Sequence, residues 1–470
     1  MFLDAIRSMP ISADAAKAAA GIERWQKAAD DGSSDHRRLL DEILAHPNGQ
    51  KLVEGITGCS PFLASVMARE PRLTLDLLTN GPDAVWADVL SPLDTRPEGD
   101  AEAKRALRKA RMRASLVIAV ADITDTWELP RLTASLSNTA EACIRYALSF
   151  ALLELNSRGR LDLPDPNHPE QGSGVFVIGM GKLGALELNY SSDIDLIVFY
   201  DPEEVPTSRP DRLAQDMVRM TQRWVDLLHD RTADGFAFRT DLRLRPDPAS
   251  TAPAISIPAA EYYYETAGQN WERAAMIKAR IVAGDPECGA RFFDFLQKFV
   301  WRRSLDFWTI RDIHSIKRQI NAHRGGASIA IEGHDVKVGR GGIREIEFFT
   351  QTQQLIWGGR NPGLRVRGTC DALSALADSG HITPDAAGEL QAAYTFLRTL
   401  EHRLQMVADQ QTQLMPTGDG IDQIARFMGY AETEEFSQRL LQTLQTVEKH
   451  YAELFEDEPD LSVQGLGNLV

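Results

Sequence analysis

Two carboxylates one residue apart open an otherwise apolar run, Asp193-Ile-Asp-Leu-Ile-Val-Phe-Tyr200, directly behind a turn punctuated by glycine. No other feature restricts the chain as much. Val175 to Ile178 reads as a buried strand, Gly179, Gly181 and Gly184 open a turn, Ala185 to Leu188 can form a helical turn, and Ile194 to Phe199 returns as a second strand. Side chains alternate along a strand, so Asp193 and Asp195 leave one face with their Cα atoms roughly 6.5 Å apart. Acids at that spacing repel unless a positive charge lies between them. Hard oxygen ligands favour Mg2+ or Mn2+ together with substrate phosphates, and two ions held this way suit in-line phosphoryl displacement.

Two other readings compete. Acids are common at solvated strand ends, but the residues after this pair are almost all apolar. Gly179-Met-Gly-Lys-Leu-Gly also fits the dinucleotide-binding G-x-G-x-x-G pattern after a strand. That fold needs a full crossover helix and an acid about 20 residues on, whereas here a short helical piece precedes a pair of acids. The spacing suits a nucleotidyltransferase better.

A third carboxylate lies in Phe236-Ala-Phe-Arg-Thr-Asp-Leu-Arg-Leu-Arg-Pro246. As a strand, this segment puts Phe238, Thr240, Leu242 and Leu244 on one face and Arg239, Asp241, Arg243 and Arg245 on the other. Asp241 would complete a metal triad, and Arg243 and Arg245 would take phosphate oxygens, for which the guanidinium fork is well shaped. The alternative is an exposed face whose charges neutralise one another.

Four ordered motifs carry a resemblance. Gly179-Met-Gly-Lys-Leu-Gly with Glu187-Leu-Asn-Tyr-Ser-Ser-Asp-Ile-Asp-Leu is followed by Asp241-Leu-Arg-Leu-Arg-Pro, Trp271-Glu-Arg-Ala-Ala-Met-Ile-Lys-Ala-Arg and Gly341-Gly-Ile-Arg-Glu-Ile-Glu-Phe. Together they closely resemble the bacterial bifunctional glutamine synthetase adenylyltransferase/adenylyl-removing enzymes. The likeness extends to Ser60-Pro-Phe-Leu-Ala-Ser-Val-Met-Ala-Arg-Glu-Pro and the basic run Leu107-Arg-Lys-Ala-Arg-Met-Arg. Members carry two homologous nucleotidyltransferase halves, one removing AMP from a tyrosine of glutamine synthetase and one attaching it. This chain holds one set of motifs. Arg344, with Gln351 to Gln354 and Trp357-Gly-Gly-Arg-Asn-Pro, resembles the adenylyl-removing half. The resemblance then implies phosphorolysis, with inorganic phosphate as attacking group, adenylylated glutamine synthetase as substrate, ADP as product, and a PII-type signal protein and glutamine as effectors.

On that reading Asp193, Asp195 and Asp241 hold two divalent ions. Ser192 and the turn amides near Gly179 and Gly181 hold phosphate oxygens, and Lys182 either adds a point charge or is simply solvated. Lys278 and Arg280, sharing a strand face, are further phosphate contacts, as is Arg344, whereas Glu272 and Arg273 form a structural pair. Gly341 and Gly342 suggest a turn into a long helix, where Glu345 and Glu347 are helix-favourable acids or assist the metal, and Arg340 is a second candidate for phosphate. The other readings are the transferring half, using ATP and releasing pyrophosphate, and a silent nucleotide-binding regulatory module. Three mutually repelling acids argue against the last.

The expected fold class is α+β: a mixed-sheet nucleotidyltransferase core, polymerase beta-like, flanked by N-terminal and C-terminal helical bundles. The expected divisions are 1–160, helical; 161–290, catalytic core; 291–455, a helical bundle with a candidate regulatory role; and 456–470, a linker-like tail. Helix-period runs cover Leu39 to Leu52, Ala106 to Val120, Leu132 to Leu155, Arg212 to His229, Ala386 to Asp409 and Phe436 to Leu454. A formal net charge of −16 over 470 residues argues against nucleic acid as main partner. The basic run Lys104 to Arg113 is then a solvated or domain-packing face. Four cysteines without CxxC spacing point to a reduced, cytoplasmic setting and no structural zinc, and no apolar run is long enough to span a membrane.

Overall fold

The computed structural model describes residues 2–30, 33–302 and 329–456. Most of the tail expected to be flexible lies outside these residues. A five-stranded mixed sheet stands between two groups of helices, as the α+β reading expects. Its strands are β1 (Val175–Gly179), β2 (Asp193–Tyr200), β3 (Arg239–Asp241), β4 (Ala254–Ser256) and β5 (Arg280–Gly284). They run β3-β2-β1-β5, with β4 pairing β2 beyond β3. β1 is antiparallel to both β2 and β5, whereas β3 and β4 run parallel to β2. The antiparallel β1–β2 pair removes the dinucleotide-binding alternative, which requires a parallel β-α-β crossover.

Alternation along the central strands divides the core. Val175 and Val177 with Ile194, Leu196 and Val198 join one apolar cluster, and Phe176, Ile178, Ile197 and Phe199 join another. The first side is covered by the helices Leu129–Ser157 and Leu213–His229, where the Trp224 indole donates to the Ile144 carbonyl at 3.1 Å. In Leu129–Ser157 the buried Leu132, Leu136, Ile144, Leu148, Leu152 and Leu155 recur at helical spacing. On the second side Phe199 meets Phe292 of helix Pro286–Val300, ring centroids 4.6 Å apart. By parity the acids of β2 share this second side, so one strand face is acidic at its start and apolar beyond.

Proline punctuates the first part of the chain. The run Leu39 to Leu52 is broken into helices Ser34–Ala45 and Pro47–Cys59, because a proline inside a helix lacks the N–H and clashes with the preceding turn. Pro61, Pro71 and Pro82 each begin another helix. Toward the C-terminus, helices Ile343–Trp357, Thr369–Asp378, Pro384–Met406, Asp419–Phe427 and Thr433–Glu456 enclose a separate core that includes Ile346, Leu373, Leu397, Leu440 and Leu444.

Three local expectations are corrected. The helical turn behind β1 is Gly181–Gly184, not Ala185 to Leu188, because Leu186 adopts φ +60° and ends it. β3 stops at Asp241, and the backbone then turns through 242–247, so Arg243 and Arg245 are not strand residues. Asn270–Met276 is a helix closed by a Gln269/Glu272 capping box, which leaves Lys278 in the turn before β5 rather than on a strand face with Arg280. The basic run does pack inward, as one of its two readings expects. Arg108 is buried, and Arg111 makes a bidentate pair with Asp409 at 2.7 and 2.9 Å. All four cysteines are free, and no described helix is long and apolar enough to cross a membrane.

Candidate functional site

Parallel pairing of β2 and β3 sets Asp195 opposite Asp241 and Asp193 opposite Arg239. Three carboxylates thereby gather at one end of the sheet beside the glycine turn. That turn closes on the same strand: the Met180 N–H donates to the Asp195 carbonyl at 2.9 Å. Gly181 has φ +51°, and a Cβ there would stand 3.4 Å from Asp195 Oδ2, so the backbone passes close to the carboxylate. Gly184 permits a second close approach, since a Cβ there would lie 2.0 Å from the Lys278 carbonyl oxygen.

The charges around the three acids are unequal. Asp193 accepts from Arg239 Nε at 2.6 Å, and the Gln411 amide, with its nitrogen facing inward, donates to both of its oxygens at 3.0 and 3.1 Å. Asp241 accepts from Arg243 Nε at 2.9 and 3.0 Å, and this pairing holds its carboxyl below the usual range. Asp195 is the exception. Burial, reinforced by Asp241 and Asp193, pushes it up to about 6, although Lys337 pulls the other way. An under-compensated acid between two others is the donor set a hard divalent cation suits. Asp193 and Asp241 face their arginines in this arrangement, and turning both toward Asp195 would complete the set. Among the described residues the group whose ligand atoms all lie within 4.8 Å is Asp201, Glu204 and Cys288, on the far side of β1 and β2 from their turn.

The remaining residues expected at the site differ in how far their side chains are already occupied. Ser192 Oγ donates to the Asp193 carbonyl at 2.8 Å, and Arg243 projects into solvent with 83% of its side chain exposed. Arg344 is exposed in the first turn of Ile343–Trp357. Arg245 is occupied, donating to the carbonyls of Leu242, Pro248 and Thr251 at 2.8 to 3.0 Å, which pins the loop after β3. Arg280 pairs with Glu141 at 2.5 Å, and Arg340 with Glu448. Glu272 accepts from the Gln269 N–H and Tyr263, whereas Arg273 donates to Asn270 and the Val300 carbonyl.

Lys182 and Lys278 are not solvated. Both reach Glu347 Oε1, at 3.0 and 3.2 Å, and Lys278 also reaches Glu187 at 2.8 Å and Thr369 at 3.1 Å. Burial lowers the Lys182 amine to about 8, incompletely offset by a carboxylate it shares. Burial also works against charge on Lys278, but Glu187 and Glu347 together raise it above the ordinary amine range. Glu347, between two ammonium groups, stays charged well below the usual carboxylate range despite its burial.

Helix Pro384–Met406 completes the support. Arg398 donates to the Glu187 carbonyl at 2.7 Å, Glu401 accepts from Asn189 at 2.8 Å, and Gln405 accepts from the Ser191 N–H at 2.7 Å. The loop 187–191 is thereby gripped immediately before the acid pair. Sequence reasoning missed Lys337, Gln411 and these helix residues. The i, i+3 spacing of Arg398 and Glu401 signals a pair but not its target.

Comparison with known proteins now adds to this geometry. Residues 50–294 match the family model described as glutamate-ammonia ligase adenylyltransferase. Over 427 residues the chain is 48% identical to the bifunctional glutamine synthetase adenylyltransferase/adenylyl-removing enzyme of Bradyrhizobium diazoefficiens, covering 89% of this chain and 43% of that protein. The chain belongs to this family. The same-named proteins of Brucella melitensis and Xanthobacter autotrophicus are 46% and 47% identical, over 91% and 96% of this chain and 44% and 46% of theirs. The chain therefore spans less than half the length of these curated relatives. Residues 313–455 match a second model, described as GlnD PII-uridylyltransferase.

Proposed function

We propose that this chain is the adenylyl-removing half of such an enzyme, a metal-dependent nucleotidyltransferase of polymerase beta-like fold acting on adenylylated glutamine synthetase. The observation that carries the reading is the acid group on β2 and β3, with Asp195 under-compensated beside a glycine turn whose backbone lies against it. Assignment to the removing half rests on Arg344 and its motif, and on the second family match over the C-terminal helices.

Asp193, Asp195 and Asp241 would hold Mg2+ or Mn2+, which supplies charge neutralisation as one anionic phosphate approaches another. Exposed Arg243 is placed to exchange Asp241 for a phosphate oxygen, and the backbone at Gly181 lies beside Asp195, where another could sit, whereas Gly179 is paired within the sheet and packs against Val282 and Leu183. An oxygen of inorganic phosphate forms a bond to the AMP phosphorus while the bond from phosphorus to the tyrosine oxygen breaks. The phenolate keeps that electron pair and takes a proton, and ADP leaves. Lys182, Lys278 and Glu347 support the turn from behind, and Arg245 and Arg280 have scaffold roles. A PII-type protein and glutamine remain the effectors to test.

The second reading, transfer of AMP from ATP, is favoured by the adenylyltransferase model matched over residues 50–294. One experiment separates the two. The chain is incubated with adenylylated glutamine synthetase and Mn2+, with and without inorganic phosphate, and in parallel with unmodified glutamine synthetase and ATP. Phosphate-dependent ADP release is expected. AMP incorporation with pyrophosphate release would reassign the half, and neither reaction would favour the silent nucleotide-binding module.

A further inference from the structure

A cavity of about 320 Å³ lies behind the acid site, between the first helices and the loop leading into β3. Four arginines line it, Arg69, Arg108, Arg111 and Arg231, against two acids, Asp234 and Asp409. Asp409 is consumed by its bidentate pair with Arg111. Arg108 is fully buried and donates to carbonyl oxygens, those of Lys104, Leu227, Asp230 and Gly235, so its charge is held without a bonded carboxylate. Arg69 and Arg231 are exposed at the rim, and among the described residues neither makes an ion pair. Three guanidinium groups thus converge on the cavity, where among the described residues Asp234 is the one lining acid besides the paired Asp409, while Asp230 and Asp100 act on Arg108 from outside the lining. Such a concentration of cations around a concave space makes a positive potential that favours an anion there.

The cavity is distinct from the acid site yet next to it. The Phe236 ring in its wall carries the Arg111 guanidinium 4.8 Å from its centroid and that of Arg239 at 5.1 Å. Arg239 is bonded to Asp193, whereas Arg111 belongs to the cavity.

We propose that this cavity binds a small, multiply charged oxyanion, a carboxylate or a phosphate, through Arg69 and Arg231 at its rim with the buried charge of Arg108 behind them. The proposal does not depend on which reaction the acid site performs. Two arginines on separate elements, helix Pro61–Arg69 and the turn after Leu213–His229, would close on one ligand, which explains why the charges meet here.

The test is calorimetric titration of citrate and, separately, inorganic phosphate at millimolar concentration, without divalent ions, into three forms of the full chain. These are the unmodified protein, the double variant Arg69→Ala/Arg231→Ala and the control variant Arg24→Ala, an exposed arginine of helix Ala15–Ala29 outside both sites. At least one probe is expected to bind the unmodified protein and Arg24→Ala alike, and the double variant at least about tenfold more weakly, as for loss of a charge-assisted hydrogen bond. Citrate alone would mark a carboxylate ligand and phosphate alone a phosphate ligand. Both altered side chains are at the rim, so thermal unfolding of the double variant should match that of the unmodified protein. Were it misfolded, Arg231→Gln alone gives the same reading. Binding of neither probe, or binding undiminished in the rim variants, would overturn the proposal.

Discussion

Asp195 carries a charge that the folded chain holds at a cost. Its folded pKa of about 6 lies above the ordinary 3.8, so between these values the folded state keeps a proton that the unfolded state releases. Stability from this group is therefore full below about pH 4, declines as pH rises toward 6, and stays reduced above. Asp195→Asn should stabilise the ion-free protein at pH 8 by on the order of 2 kcal/mol, shrinking toward zero near pH 4, while abolishing Mn2+ binding. Urea unfolding at the two pH values, with a Mn2+ titration, checks both parts. Gly181→Ala should cost about 1 kcal/mol from its left-handed backbone and also weaken Mn2+ binding, because the new methyl sits against Asp195 Oδ2. A melting curve unchanged from the unmodified protein would contradict the backbone part.

Among elements, the short helix Gly181–Gly184 depends on charges that come from elsewhere in the chain. Glu347, from helix Ile343–Trp357, bonds Lys182 behind the glycine turn and Lys278 before β5. Glu347→Gln would leave Lys182 without a carboxylate in bonding contact and Lys278 with Glu187 alone. Removing one partner of a buried ion pair costs about 3 kcal/mol or more, and that loss is expected in urea denaturation. The loop after β3 makes the complementary case. Its arginines look alike in sequence, yet Arg245 is bound to three carbonyls and Arg243 is exposed. Arg245→Ala should lower stability, whereas Arg243→Ala should leave the melting temperature nearly unchanged and reduce phosphate-dependent turnover. The reverse pattern would exchange the two roles.

For the whole molecule, helix Pro384–Met406 ties the parts together. Arg403 and His402 pair with Asp122 of helix Asp100–Ile123 at 2.7 and 2.8 Å, while Arg398, Glu401 and Gln405 hold the loop before the acid pair. Ser60 Oγ, which also caps helix Pro61–Arg69, donates to the Met406 carbonyl at 2.6 Å. Arg398→Met should remove the bond to the Glu187 carbonyl and leave Glu401 under-compensated. Hydrogen exchange is then expected to quicken over residues 187–193 with little change in helix Leu129–Ser157. Uniform protection across both segments would show that the loop is held by other contacts.

The parts of this site that local pattern can express were legible in the chain. A strand alternates with period two, so Asp193 and Asp195 had to share a face, and the apolar residues after them had to be buried. Glycines and a short spacing announced the turn, and helix periodicity located Leu213–His229 and Pro384–Met406. Local pattern did not reveal where β3 ends, because the alternation of Arg and Leu continues past the backbone turn at Leu242. Nor did it reveal that Lys278 sits behind a helix instead of on a strand. The partners of long polar side chains were the least legible of all. Lys182 meets Glu347 across 165 residues and Glu187 meets Thr369 across 182, and only folding the chain decides such pairings, because they depend on which surfaces lose water together.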